Sequence, residues 1–180
     1  MRWTPGVAAG HRCGALKVFL VRHADADAEI PEGLADEARA LTTKARAGIT
    51  AHFASVKDRL GQPDLFFTSP LVRCVQTSML LAQALGYEGP MKAHRALLPD
   101  MPVGAIDALL TEQPAQTLVL VGHQPSMGAM ASYLLGQQNF PKQVAPGSVI
   151  GLDVTLGGDG NKTVKLLFFA APHQPVLETL

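Results

Sequence analysis

Apolar residues in this chain fall into short unbroken runs separated by longer stretches with one apolar face. "LKVFLV", "DLFFT" and "TLVLVGH" are continuous runs bounded by breakers, the mark of strands covered on both faces. From roughly Leu34 to Leu60 an alanine-rich stretch puts Leu41, Ala45, Gly48, Ile49, His52, Phe53 and Val56 at helical spacing, and Gly61, Gln62 and Pro63 stop it. A second helix is predicted to open at Ser69-Pro70, with Ser69 as cap and Pro70 in the first helical position. Its apolar face is Leu71, Val75, Met79, Ala82 and Leu85, closed by Gly86. "YEGPMKAHRALLPDMP" reads as a loop, "VGAIDALLTEQ" as a short helix, and "QPSMGAMASYLLG" as a helix with Pro125 near its start. "SVIGLDVTL" and "TVKLLFFA" read as two strands joined by the glycine-rich turn "GGDGN". Residues 1–16 carry Pro5, Gly6, Gly10 and Gly14 without periodicity. They are predicted to be a flexible extension ahead of a single domain at 17–180.

Three strands each followed by a helix imply parallel pairing through right-handed crossovers. The expected class is α/β: a three-layer α/β/α sandwich with a mostly parallel central sheet and the C-terminal strand pair at one side. In such sheets ligands bind beyond the carboxyl ends of the strands.

Composition narrows the partners. Fifteen basic and fifteen acidic residues give a formal net charge of +0, which argues against a general nucleic-acid or acidic-membrane surface. Any anion site must be a local concentration of charge. Cys13 and Cys74 form no disulfide framework. No apolar run approaches the ~18 residues needed to span a membrane, and the first residues lack the apolar core of a signal peptide. The expectation is a soluble cytoplasmic protein.

The stretch "FLVRHADAD" drives a strand straight into an arginine and a histidine. Alone, that pair is more often a loop dipeptide than a catalytic one. Arg73, however, follows the second strand and His123 ends the third, so three strand exits deliver a cation or an imidazole to one sheet edge. Two guanidiniums can hold a tetrahedral phosphoryl group through fixed, paired donors. A neutral imidazole is a competent nucleophile near neutral pH when its other nitrogen is held as N–H, commonly by a carbonyl. A second histidine, protonated, would stabilise charge on the equatorial oxygens. One histidine attacks and the other binds. The arginines and second histidine could supply the charge that Mg²⁺ gives in kinases, so no metal and no cofactor is expected.

"VRHAD", "LTTKA", "TSPLVRCVQT" and "VGHQPSM", in that order, resemble the histidine phosphatase superfamily, also called phosphoglycerate mutase-like, and most of all its SixA branch of phosphohistidine phosphatases. The likeness spans roughly residues 17–170. It implies a metal-independent phosphatase in which His23 accepts the phosphoryl group and Arg22, Arg73 and His123 form the phosphate pocket. Ala24 and Ala45 stand where the family usually has glycine. Most members carry a carboxylate that protonates the leaving oxygen; here Asp100 in "RALLPDM" is the nearest candidate. Histidine leaving a P–N bond needs less help than an alkoxide, which favours a phosphoramidate substrate. The leading expectation is a partner protein bearing phosphohistidine, such as a histidine phosphotransfer domain. The alternatives are a phosphatase of a small phosphorylated metabolite or nucleotide, and a non-catalytic phosphoprotein-binding module.

Other reactive residue types receive ordinary readings. His11, His52, His94 and His173 lie off the predicted edge. Asp25 and Asp27 read as solvated loop or cap residues, Cys74 as a buried apolar side chain, and Ser126 as a polar group at a helix start. His23 and His123 lack a cysteine or carboxylate at zinc-ligand spacing. Gly157, Gly158 and Gly160 precede no helix and so form no phosphate cradle. Between Gly86 and Thr117 the chain offers little from which to build a lid, so the site is expected to be open.

Overall fold

The order in which six strands lie side by side decides which residues meet at the sheet's edge. A computed structural model describes residues 14–30, 32–33, 35–156 and 162–179. In it the strands are β1 (Gly14–Arg22), β2 (Leu65–Thr68), β3 (Met91–Ala93), β4 (Thr117–Gly122), β5 (Val149–Leu156) and β6 (Lys162–Ala170). The helices are α1 (Thr43–Leu60), α2 (Val72–Leu85), α3 (Val103–Glu112) and α4 (Ser126–Leu134). The sheet runs β3-β2-β4-β1-β5-β6. The first four neighbours are parallel, and β5 and β6 add antiparallel at one side. This is the α/β sandwich that the pattern of runs predicts.

Strand side chains alternate between two cores, as pleating requires. Val18 and Leu20 of β1 join Leu118 and Leu120 of β4 under α3 and α4, against Ile106, Leu109, Met127 and Met130. Phe19 and Val21 join Val119, Val121 and Phe66 under α1 and α2, against Phe53, Val56, Leu81 and Leu85. With both faces covered, the central strands need apolar residues at every position, which is why they read as unbroken runs.

The β1–β4 register places the chemistry. Arg22 pairs with Gly122, and the His23 N–H donates to the Gly122 carbonyl at 3.0 Å. The next residues out of the two strands are therefore His23 and His123, side by side although 100 positions apart. Thr68 of β2 pairs with Val121, which brings Ser69 to the same edge. The exit of β1 is pinned by Gly147. Its φ of 82° suits glycine, and its amide donates to both the Arg22 and His23 carbonyls at 3.1 Å.

Three elements differ from the sequence reading. The first helix starts at Thr43, not near Leu34: Thr42 caps it by accepting the Ala45 N–H at 2.9 Å. The residues before it form a 3₁₀ turn at Asp36–Ala38 and a bridge from Leu41 to Ala26, with the Leu41 N–H donating to Gln76 Oε1 at 2.8 Å. Tertiary contacts thus override helical spacing. α2 begins at Val72 behind an extended Leu71, and Ser69 faces a histidine rather than capping it. The stretch read as a loop contains β3, three partly exposed residues on the sheet edge that show no alternation. β1 begins at Gly14. Residues 1–13 of the expected extension, and the 157–161 turn, lie outside the described residues. Among the described residues no helix is long and apolar enough to cross a membrane.

Candidate active site

Arg22, His23, Arg73 and His123 line one cleft of about 320 Å³ at the carboxyl edge of the sheet, together with Asp25, Ala26, Arg39, Pro99, Gln124 and Pro146. The four residues singled out in the sequence thus lie together. Asp100 is exposed and does not line the cleft; its neighbour Pro99 does. Ser126 donates to the Pro99 carbonyl at 3.0 Å, so it anchors that turn at the start of α4.

His23 is held in one orientation. Its Nδ1 lies 2.7 Å from the Ala24 carbonyl. A carbonyl only accepts, so Nδ1 carries the proton and Nε2 keeps its lone pair. Burial, reinforced by the Arg73, Arg22 and Arg39 charges and only partly opposed by the Ala24 hydrogen bond, brings its pKa down to about 4. The ring is therefore neutral at neutral pH. The Ala24 N–H donates to the Thr77 hydroxyl at 3.1 Å, and Thr77 donates to the Arg73 carbonyl at 2.7 Å. One hydroxyl on α2 thus fixes the β1 exit relative to the helix that carries Arg73.

His123 stands edge-on to His23, with ring centroids 5.1 Å apart. Its Nε2 lies 2.9 Å from Ser69 Oγ and 3.4 Å from the buried Cys74 Sγ. Burial, then the neighbouring His23 and Arg73, brings its pKa down to about 3. The expectation of a protonated second histidine thus needs amending: the protein's own groups hold it neutral. Cys74 matches its apolar reading, because burial pushes its thiol up to about 12.

The arginines are set by different means. Arg22 donates Nη1 to the Val144 carbonyl at 2.8 Å. Burial lowers its pKa, and the Asp25 charge opposes the shift. Arg73 is 3% exposed and donates Nη1 and Nη2 to the backbone and side-chain oxygens of Asp36, at 3.0 and 3.1 Å. The other Asp36 carboxylate oxygen meets Arg39 Nε at 3.0 Å. Burial pushes the Asp36 carboxyl up, but the Arg73 and Arg39 guanidiniums outweigh it and hold the carboxyl below its usual range. Arg22 Nε and Arg73 Nε are both buried without a hydrogen-bond partner among the described residues. Buried donors of this kind call for an acceptor, and a cleft lined by three arginines suits an anionic one.

Sequence reasoning missed Asp36 and Arg39, which it placed in a helix, and took Ser69 for a cap. The i, i+3 spacing of Asp36 and Arg39 just before a capping threonine was the only trace of them. Of the remaining histidines, His52 lies on α1, His94 accepts the Ala96 N–H at 3.2 Å, and His173 follows β6. None of them lines the cleft, and His11 lies outside the described residues. Among the described residues no group of three or more histidine, cysteine, aspartate or glutamate side chains is placed to hold a metal ion.

The chain is 34% identical over 145 residues to an uncharacterized protein of Picosynechococcus sp., covering 76% of this chain and 84% of the relative. No family model matches it. Among solved structures, a protein assigned as the phosphohistidine phosphatase SixA of Agrobacterium tumefaciens is similar at 25% identity and a TM-score of 0.75, covering 87% of this chain and 98% of that one. A protein histidine phosphatase SixA complexed with tungstate shares the fold at 23% identity and a TM-score of 0.72, over 87% and 97% of the two chains. So does a mycobacterial glucosyl-3-phosphoglycerate phosphatase, at 17% identity and 0.60, over 85% and 97%.

Proposed function

From the fold shared with SixA phosphohistidine phosphatases and from the four cleft residues that match that family's motifs, we propose that the chain is a member of the histidine phosphatase (phosphoglycerate mutase-like) superfamily and hydrolyses phosphohistidine on a partner protein through a covalent intermediate on His23. The observation that carries this reading is the paired exit: His23, its Nδ1 tied to a carbonyl at 2.7 Å, faces His123 at 5.1 Å in a cleft shared with the half-buried Arg22 and the buried Arg73. His23 Nε2 attacks phosphorus in line with the departing atom. Arg22 and Arg73 hold the equatorial oxygens through donors the fold leaves without partners. The dianion they hold supplies the counter-charge that His123 lacks, and so favours its protonated, donating form. Water then attacks the phosphohistidine and releases phosphate.

A protein-borne substrate fits the way the chain uses residues 86–117. They are taken up by β3 at the sheet edge and by α3, whose Ile106, Leu109 and Leu110 are buried in the core. Only Pro99 from this segment lines the cleft, so nothing in it forms a lid. The test is phosphate release from a phosphorylated histidine-phosphotransfer domain and from phenyl phosphate, with acid quench to trap the phosphoenzyme. Wild type should turn over both and trap label; His23→Ala should do neither. Near wild-type rates in His23→Ala would sink the mechanism. A sugar phosphate or nucleotide turned over far more efficiently than any phosphohistidine protein would replace the substrate.

A further inference from the structure

Three arginines, Arg22, Arg39 and Arg73, line the cleft, yet Asp25 is a carboxylate in the same lining. Asp36, the other carboxylate nearby, is engaged by Arg73 and Arg39 and does not line the cleft. Asp25 differs. Its backbone is held, because its carbonyl accepts the Thr42 N–H at 3.0 Å and Ala26 beside it bridges to Leu41. Its side chain is exposed and makes no hydrogen bond or ion pair with another described residue. It lies two residues beyond His23, near enough to Arg22 to act on its charge. A site that only had to hold phosphate would not benefit from an anion at this place, since like charges repel.

Resting on the phosphatase reading of this cleft, we propose that Asp25 determines leaving-group specificity: its carboxylate accepts a hydrogen bond from the protonated distal nitrogen of a phosphorylated imidazole. The cleft then prefers a substrate whose phosphorylated ring is cationic before transfer over one whose leaving group is uncharged, as in a phosphate ester. During transfer the bond from His23 Nε2 to phosphorus forms while the P–N bond breaks. The electron pair of the broken bond stays on the departing ring nitrogen. The proton already on the distal nitrogen leaves with the ring, which departs as neutral imidazole. No proton has to reach the leaving atom during the step. The proton kept on the distal nitrogen therefore does the work that a neutral acid does for an ester; the Asp25 carboxylate holds that protonated form in the cleft, and Asp100 is not needed.

The experiment compares kcat/KM for 1-phosphoimidazole with that for phenyl phosphate, in wild type, Asp25→Asn, Asp25→Ser and Asp25→Glu, with His23→Ala as control. The ratio should fall on the order of ten- to a hundredfold in Asp25→Asn and Asp25→Ser, the effect of losing one hydrogen bond to a charged group. Asp25→Glu should keep most of it. A merely structural role for Asp25 would lower both rates together and leave the ratio where it was. A ratio that stays within twofold of wild type in either neutral variant overturns the assignment of Asp25 while leaving the His23 mechanism intact. Phenyl phosphate turnover that survives His23→Ala overturns the mechanism, and this inference with it.

Discussion

The two ends of the central strands hold polar groups in opposite conditions. At the amino end, the Asp64 carboxylate accepts the backbone N–H groups of Gln116 and Thr117 at 2.7 and 2.8 Å, tying the start of β4 to the turn before β2. The cavity there is the larger, about 510 Å³, and is lined by Asp64, Leu65, Pro90 and Lys92 among others. At the carboxyl end, in a cavity of about 320 Å³, Arg22 and Arg73 each keep a buried Nε–H without a partner among the described residues and two histidines are held neutral. A carboxylate satisfied by backbone is architecture. Donors left over after folding are chemistry, and cavity size does not tell the two apart.

Replacing Arg73 by lysine is the hardest blow to the carboxyl end. Its fork meets two oxygens of Asp36 at once, which a point charge cannot reproduce. The expected loss is on the order of 10²–10³ in kcat, the usual effect of removing one pre-organised donor. Steady-state kinetics on phenyl phosphate read it, and a loss below fivefold would place the phosphoryl group elsewhere.

Acid should act on the same end next. His23 and His123 have folded pKa values of about 4 and 3, against about 6.5 when unfolded. Below pH 6.5 the unfolded chain binds protons that the folded chain refuses, so stability is full above that value and falls as pH drops towards 4. At pH 5 each histidine should cost about 1–2 kcal/mol. Thermal melts at pH 7.5 and 5 measure the loss, and His123→Gln should remove part of it. An equal loss in that variant would contradict the neutral histidine.

The amino end sharpens the contrast from the other side. Asp64→Asn should lower stability by about 1 kcal/mol, because the two amides then meet a neutral acceptor. It should leave kcat/KM within twofold. A catalytic defect larger than that would show that the two ends are coupled.

The strands and the four cleft residues were legible because apolar runs and Arg-His at a strand end are local signals, and parallel topology converts them into neighbours. The turn at Asp36–Ala38 was not. Its residues share the alanine-rich composition of α1, and only Arg73, Gln76 and Ala26, each distant in sequence, pull them out of the helix. β3 escaped for the opposite reason: with one partner and exposed side chains, three residues need no pattern. Asp25 was legible as a residue but not as a lining group, since its place depends on where the chain returns at Thr42.

The position of β4 between β1 and β2 has a consequence for synthesis. β1 and β2 are adjacent in the gene product but never touch in the sheet. A ribosome that has released the first 85 residues has released two strands whose shared neighbour does not yet exist. Each therefore has an unpaired edge, which is an invitation to aggregate. Contacts between positions 100 residues apart also close slowly. β2 can pair with β3 earlier, but β1 cannot join them until β4 emerges, so the two histidines come together at the same moment as the core beneath them.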